Sequence, residues 1–318
     1  MSQNFINKKR QSPNTLMRIK RFFCEPRTVM LHMLQMYAPH IKNDRLYLQL
    51  LWFLNTGKRL NLKKPQTFQE KLQWLKLYNR KSLYTTMVDK HEVKEYVAKT
   101  IGDEYLIPSL GVWEKFEDID FSLLPDKFVL KCTHDSGGLV ICRDKATLDW
   151  KQAKQKIERC LKRRYFYSNR EWPYKDVKPR IIAEEYIEQT GVLDLKDYKF
   201  FCFNGRAEYC QVIADRNTDE SIDFYDRAWN HQEFVGLLST AHHAPTAHHA
   251  PETYDKMVEL ADYIAKEVNS PFVRVDFYNV NEKIYFGEIT FYPAGGFGSF
   301  KPVEWNKRLG DLIVLNSL

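Results

Sequence analysis

The sequence predicts an α+β chain, and two patterns predict it. Apolar residues recur at helical spacing in the first third, over residues 29–54 and 68–78. Beyond them, short runs of strand-like composition pair across tight turns, over residues 128–142, 198–213 and 271–289. With 318 residues, 44% of them hydrophobic, the chain can bury one large core or two modest ones. An aromatic content of 14% is unlike that of a disordered chain. The net charge of +7 is a mild excess, compatible with phosphate ligands, anionic polymers or a membrane surface. Six cysteines show no CxxC pair and no metal-ligand spacing. No signal peptide is visible, so they read as reduced, mostly buried thiols of a cytoplasmic protein. The most apolar run, residues 46–54, is far too short to cross a bilayer.

Taken in order, residues 1–30 are polar and basic, with Met17, Ile19, Phe22 and Phe23 interleaved among lysines and arginines. This pattern suits a peripheral membrane-surface anchor on the inner face of the membrane; a loosely docked or disordered terminus is the plainer alternative. Residues 31–83 read as a helical region. Thr67 and Glu70 have capping-box spacing at the start of the helix at 68–78. Asp89-Lys90-His91-Glu92 repeats that signature. It puts Lys90 in a first helical turn, where the dipole disfavours a cation unless an anion faces it.

Residues 128–132 and 139–142 are strands around Thr133-His134-Asp135-Ser136-Gly137-Gly138. Lys131 projects beside that loop, whose glycines can expose backbone N–H groups to phosphate; a plain hairpin turn is the alternative. A Walker A motif is absent. Residues 146–163 form an amphipathic helix, and no RNA- or DNA-binding motif appears, so nucleic acid is not an expected partner. Residues 180–187 (RIIAEEYI) are a strand ending in two acids and an aromatic. Asn204-Gly205 turns a hairpin. Residues 241–251 (AHHAPTAHHAP) offer four histidines to a metal, but neighbouring pairs in a Pro/Ala segment read better as a mobile surface loop. Residues 254–268 form a helix that leads into the last hairpin.

In that hairpin, residues 271–300, Arg274, Asp276 and Tyr278 share one face of a strand, and the returning strand delivers Glu288. Two carboxylates beside a guanidinium suit Mg²⁺, which takes few protein carboxylates and leaves room for phosphates. Ordinary cross-strand charge pairing is the alternative. The glycines of Pro293-Ala294-Gly295-Gly296-Phe297-Gly298 would let backbone approach a ligand.

The order of these pieces resembles the ATP-grasp superfamily from about residue 84 onward: Lys90, Lys131 with its glycine loop, Glu-Glu-Tyr-Ile, D-x-K, R-x-D, then E-x-T. With NLKKPQTFQEKLQWLKLYNR and DYKFFCFNG, the chain looks like the TupA-like ATP-grasp family of bacterial surface-polysaccharide clusters over about residues 40–318. The resemblance implies an ATP-grasp fold over 84–318, with a small lobe at about 125–187 and a large lobe at about 188–318, preceded by a helical extension. It implies ATP and Mg²⁺ as ligands. Lys90 and Lys131 would contact the phosphates, Ser136, Gly137 and Gly138 would form the lid, and Glu184, Glu185 and Ile187 would meet adenine, with Asp197 near the ribose. Lys199 stands where related ligases often carry arginine. Asp276 and Glu288 would hold Mg²⁺, and Arg274 would face the transferred phosphoryl group. Thr290 departs from the family's usual asparagine, which puts a second metal site in doubt.

The implied chemistry is ATP-dependent carboxylate–amine ligation through an acyl phosphate. The partners would be an amino acid or other amine and a saccharide or lipid-linked saccharide acceptor. Two other readings compete. One is a glycosyltransferase using a sugar nucleotide, for which Asp118-Ile119-Asp120 supplies the letters of a D-x-D motif; the other is a non-catalytic scaffold retaining the fold.

Overall fold

The computed structural model describes residues 26–189, 191, 194–216 and 218–315, so most of the basic N-terminal segment lies outside the described residues. The chain divides into two compact units, one ending at Leu60 and the other spanning Asn61–Leu318. Among the described residues no helix is long and apolar enough to cross a membrane.

In the first unit, helix α1 (Pro26–Met36) packs against α2 (Asp44–Thr56). The helical pattern read over 29–54 is divided between these two helices, because Pro39 lies in a short 3-10 turn, Ala38–His40, between them. Proline donates no backbone hydrogen bond, and its ring restricts the residue before it. Asn43 restarts the helix by accepting the Leu46 N–H at 3.0 Å. Gly57, at φ +73°, ends it.

The second unit opens with α3 (Phe68–Tyr78), whose boundaries and capping box are those the sequence predicts. Phe68 is buried with its ring against Phe201, Phe203, Phe272 and Phe300. That contact explains why the unit begins ahead of residue 84: α3 belongs to the core that follows it. Gln73 and Lys76 of α3 donate to the carbonyls of Gly296 and Gly295, both at 2.7 Å. The Pro-Ala-Gly-Gly turn therefore points these carbonyls into the protein, and Gly295 and Gly296 supply the positive φ angles it needs.

After α4 (Leu83–Val88) and α5 (Glu92–Ile101), an antiparallel four-stranded sheet forms. Its strands are β1 (Ser109–Trp113), β2 (Phe128–Cys132), β3 (Leu139–Cys142) and β4 (Ile181–Glu185), in the order β1-β4-β2-β3. Helix α6 (Trp150–Leu161) covers it with Ala153, Ile157 and Cys160. α6 is shorter than the predicted 146–163 because Asp149 caps it, accepting the Gln152 N–H at 2.9 Å. The D-x-D letters fall in a surface turn, where Asp120 accepts from the Ser122 N–H and hydroxyl at 2.9 and 2.6 Å.

The second sheet has five antiparallel strands in the order β10-β9-β5-β6-β7. They are β5 (Asp197–Phe203), β6 (Arg206–Ala214), β7 (Ser221–Asp226), β9 (Phe272–Val280) and β10 (Lys283–Thr290); a short β8 (Val235–Gly236) precedes β9. The predicted Asn204-Gly205 turn joins β5 to β6 with φ of 49° and 85°. Helix α8 (Tyr254–Val268), after a one-turn α7 (Phe166–Asn169), buries Met257, Ala261, Ile264 and Ala265 on this sheet. A short β11 (Phe300–Lys301) and α9 (Trp305–Asp311) close the chain. The five described cysteines, Cys132, Cys142, Cys160, Cys202 and Cys210, are free and buried. Two antiparallel sheets with segregated helices make the unit α+β.

Candidate functional site: a charged cleft between two sheets

A cleft of about 240 Å³ runs between the two sheets. Five cations line it, Lys90, Lys94, Lys131, Lys199 and Arg216, with five carboxylates, Asp135, Glu184, Asp197, Asp276 and Glu288. Five of these ten charges, Asp135, Glu184, Asp197, Lys199 and Asp276, are buried, and burial demands partners.

The hairpin of β9 and β10 forms one wall. Asp276 and Glu288 are register partners, as are Arg274 and Thr290. A bulge at Gly287 makes this possible. Phe286 pairs with Phe277 on the core face, and strict alternation would send Glu288 to that same face. One extra residue shifts the phase, so Glu288 and Thr290 join Arg274 and Asp276 on the cleft side. A Cβ at Gly287 would stand 3.1 Å from the Asp276 carbonyl oxygen, so the bulge favours glycine.

Four oxygens converge on the Arg274 guanidinium. Nε donates to Asp276 Oδ1 at 2.7 Å, and Nη2 donates to Asp276 Oδ2 at 2.7 Å, Glu288 Oε1 at 2.9 Å and Thr290 Oγ1 at 3.0 Å. Thr290 donates its own hydroxyl to Glu288 Oε1 at 2.9 Å. Lys199 reaches Asp276 Oδ2 at 2.5 Å and Asp197 Oδ1 at 3.2 Å, and Arg216 reaches Asp197 Oδ2 at 2.8 Å. Burial alone would raise the Glu288 carboxyl, but Arg274 foremost, with Lys90 and Lys199, holds it down at about 2. Burial works against the Arg274 charge, and Asp276 and Glu288 outweigh it, keeping the guanidinium firmly protonated.

The small sheet forms the other wall. Glu184 bridges Lys131 at 2.5 Å and Lys94 at 2.6 Å. Burial raises its carboxyl, and the two ammonium groups overcome this and lower it. Lys90 precedes α5, because the helix starts at Glu92 and not at Lys90. Asp89 Oδ1 accepts the His91 and Glu92 N–H groups, but the Glu92 carboxylate turns away to Arg180 at 2.8 Å, so the expected box is not closed. Lys90 Nζ then donates to the Asp135 carbonyl at 2.7 Å, which anchors it under the glycine loop.

In that loop the Gly137 N–H is donated to Asp135 Oδ1 at 3.0 Å. A Cβ at Gly138 would lie 2.5 Å from the sulfurs of both Cys132 and Cys160, so packing demands this glycine. Ser136 and Gly138 line the cleft, whereas Gly137 is exposed beside it. Glu185 donates its N–H to the Pro108 carbonyl at 3.1 Å and exposes its side chain. Glu185 and Ile187 stand outside the cleft lining.

The structure thus brings Lys90, Lys131, Ser136, Gly138, Glu184, Asp197, Lys199, Asp276 and Glu288 to one cleft, with Arg274 and Thr290 bonded to its carboxylates. Lys94, Asp135 and Arg216 are additions. Lys94 carried a signal: it follows Lys90 by four residues, one helical turn on. Asp276, Glu288 and Thr290 gather hard oxygen donors beside the Arg274 guanidinium, a donor set that fits Mg²⁺. The lysines opposite fit phosphate.

Several solved structures are similar to this chain. A D-alanine–D-alanine ligase from Bacillus anthracis complexed with ATP shares 17% identity at a TM-score of 0.42, covering 72% of this chain and 63% of that one. A D-alanine–D-alanine ligase from Helicobacter pylori shares 14% at 0.41, covering 78% and 69%. A RimK domain ATP-grasp protein from Sphaerobacter thermophilus shares 12% at 0.40, covering 74% and 70%. The chain therefore spans less than two thirds of the Bacillus ligase. These likenesses are distant, and the assignment does not lean on them. No curated protein matches the chain. The TupA-like ATPgrasp family model matches residues 70–314, which takes in α3 from its third residue on, both sheets and every residue of the cleft, and on that match the chain belongs to the TupA-like ATP-grasp family.

Proposed function

We propose that the protein is an ATP-dependent carboxylate–amine ligase of bacterial surface-polysaccharide biosynthesis. The observation that carries this reading is the grouping of Asp276, Glu288 and Thr290 around Arg274, across a cleft from Lys90, Lys94 and Lys131. No activated nucleophile is needed for such a reaction, because positioning and charge neutralisation supply most of the rate.

In the proposed reaction a carboxylate oxygen of the acceptor attacks the terminal phosphorus of ATP, and the bond from that phosphorus to the bridging oxygen breaks to release ADP. The amine nitrogen then attacks the acyl carbon of the acyl phosphate. The carbon–oxygen bond breaks, phosphate leaves, and the amine loses a proton to solvent. Mg²⁺ held by Asp276 and Glu288 would neutralise polyphosphate charge. Arg274, oriented on both faces by Asp276 and Glu288, would stabilise the transferring phosphoryl group. Lys90 and Lys131 would hold the phosphates, and Asp197, fixed by Lys199 and Arg216, would meet the ribose. The family suggests an amino acid or other amine as one partner and a uronic-acid carboxylate, free or lipid-linked, as the other. The net charge of +7 suits an anionic acceptor.

The test is to incubate the protein with ATP, Mg²⁺, an amino-acid mixture and uronic-acid acceptors, following ADP and product mass. Oxygen-18 in the acceptor carboxylate should move into the released phosphate, and hydroxylamine should trap a hydroxamate when the amine is withheld. Released phosphate free of label, or AMP and pyrophosphate in place of ADP, would contradict the mechanism.

A further inference from the structure

A second cluster of ionisable groups lies away from the cleft, around Asp223 on β7. The histidine-rich segment 241–251, expected to be a mobile surface loop, is tied to this strand. Ile222 donates to the His242 carbonyl at 2.8 Å, Trp229 Nε1 donates to the His248 carbonyl at 2.9 Å, and the His248 N–H donates to the Tyr225 hydroxyl at 2.6 Å.

Asp223 is fully buried. Its Oδ1 faces His231 Nε2 at 2.7 Å and His243 Nδ1 at 2.9 Å. Its Oδ2 accepts the Ala244 N–H at 3.1 Å and faces His248 Nε2 at 3.5 Å. The carboxyl is held well below the ordinary range, because these hydrogen bonds outweigh its burial.

The partners of the rings assign their protons. His243 Nε2 faces the Glu233 carbonyl at 3.3 Å, which requires an N–H there. In a neutral ring Nδ1 then carries a lone pair, and it points at a carboxylate oxygen. Two electron-rich atoms at 2.9 Å repel unless a proton on Nδ1, making an imidazolium–carboxylate pair, or a metal ion lies between or beside them. A histidine that donates one ring N–H to a backbone carbonyl and turns the other nitrogen inward is the usual arrangement of a metal ligand. His248 differs. Its Nδ1 faces the Lys196 ammonium at 3.3 Å, which can only donate, so Nε2 bears the proton and points it at Asp223. With that proton, His248 is not itself a ligand.

We propose that Asp223, His231 and His243 bind a zinc ion that staples segment 241–251 to β7. The three ligand atoms lie within 4.8 Å of one another. Opening the oxygen–nitrogen contacts by about half an ångström would admit Zn²⁺ at its ordinary bond lengths of about 2.0–2.2 Å. One carboxylate and two imidazoles suit zinc better than Mg²⁺. Both histidines are about one-third exposed (34% and 33%), so the ion has a way in and its fourth position faces water. Oδ2, engaged by the Ala244 N–H, keeps Asp223 monodentate.

The test uses the full chain, freed of metal by a chelator, and titrated with Zn²⁺ by calorimetry at pH 7. Co²⁺ is substituted to read the site by its visible absorption. One zinc per chain and a tetrahedral Co²⁺ spectrum are expected. His243→Ala and His231→Ala should each weaken zinc binding at least about a hundredfold, beyond the loss typical of an outer-shell change. His242→Ala and His249→Ala should leave it within about twofold. Asp276→Asn should also retain it, since the cleft carboxylates take no part. Equal zinc affinity in His243→Ala and the parent, loss of zinc in His242→Ala or His249→Ala instead, or substoichiometric binding would overturn the assignment and leave ordinary histidine–aspartate ion pairs.

Discussion

Replacing Glu184 with glutamine separates two roles that one residue could have. The family resemblance would have Glu184 meet adenine through its backbone. In the structure its side chain is 5% exposed and spans Lys94 at 2.6 Å and Lys131 at 2.5 Å. Glutamine keeps the shape and can still accept one hydrogen bond, but it leaves two ammonium groups facing a neutral partner. Breaking a buried ion pair costs about 3–5 kcal/mol. Lys131 keeps 22% of its side chain exposed, and glutamine retains one bond, so the lower end, about 3 kcal/mol, is expected. For a unit of this size that lowers Tm by about 6–12 °C. Differential scanning calorimetry with Mg·ATP titration at 20 °C reads both quantities. ATP affinity should be unchanged or tighter, because a negative charge has left a cleft that receives a polyanion. A Tm within a degree of the parent would refute the bridging role, and lost ATP binding in a folded variant would make the carboxylate itself a ligand contact.

Other outcomes follow from the same geometry. Lys131→Ala should weaken ATP binding by about tenfold or more, while Lys154→Ala, on an exposed face of α6 paired with Glu117, leaves it within twofold by calorimetry. Gly138→Ala should destabilise the fold by about 1–3 kcal/mol in urea unfolding, since its Cβ must displace the Cys132 and Cys160 sulfurs. Glu288 has a folded value of about 2 against an ordinary 4.5, so its stabilisation is complete above the ordinary value and disappears as pH falls through about 2. Protein rings the carboxylate, yet 40% of the side chain reaches water, and that access governs screening, so the contribution stays below about 1 kcal/mol. Acid titration of Glu288→Gln should show a shallower loss of stability over that window; a curve identical to the parent would contradict the pairing.

Much of this site was legible as spacing. The R-x-D strand, the strand lysine before a glycine loop and the D-x-K strand each put a charged residue where one β or helical period would carry it. The fold was legible where local signals were complete, as in α3 with its capping box and in the Asn204-Gly205 turn. Three features were not. The bulge at Gly287 cannot be seen in alternation, since Phe286 and Glu288 are two apart and would share a face in a regular strand. The Glu184 bridge joins α5 to two strands distant in sequence. Gly138 reads as part of a phosphate loop because glycine frees the backbone; that its missing side chain also answers to two sulfurs shows only once the folded chain brings them near. The histidines of 241–251 carried a metal signal that their Pro/Ala surroundings obscured, because Asp223 and His231 reach them only through the sheet.

In the proposed function the cleft between the sheets holds Mg·ATP through the carboxylates of the last hairpin. Calorimetric titration of ATP into the parent and Asp276→Asn, each with and without Mg²⁺ and each checked for native circular dichroism, tests it most directly. The account predicts one ATP per chain in the parent, binding at least about tenfold tighter with Mg²⁺, and loss of that metal dependence together with turnover in Asp276→Asn. Equal ATP affinity in both proteins, with the same response to Mg²⁺, would contradict it.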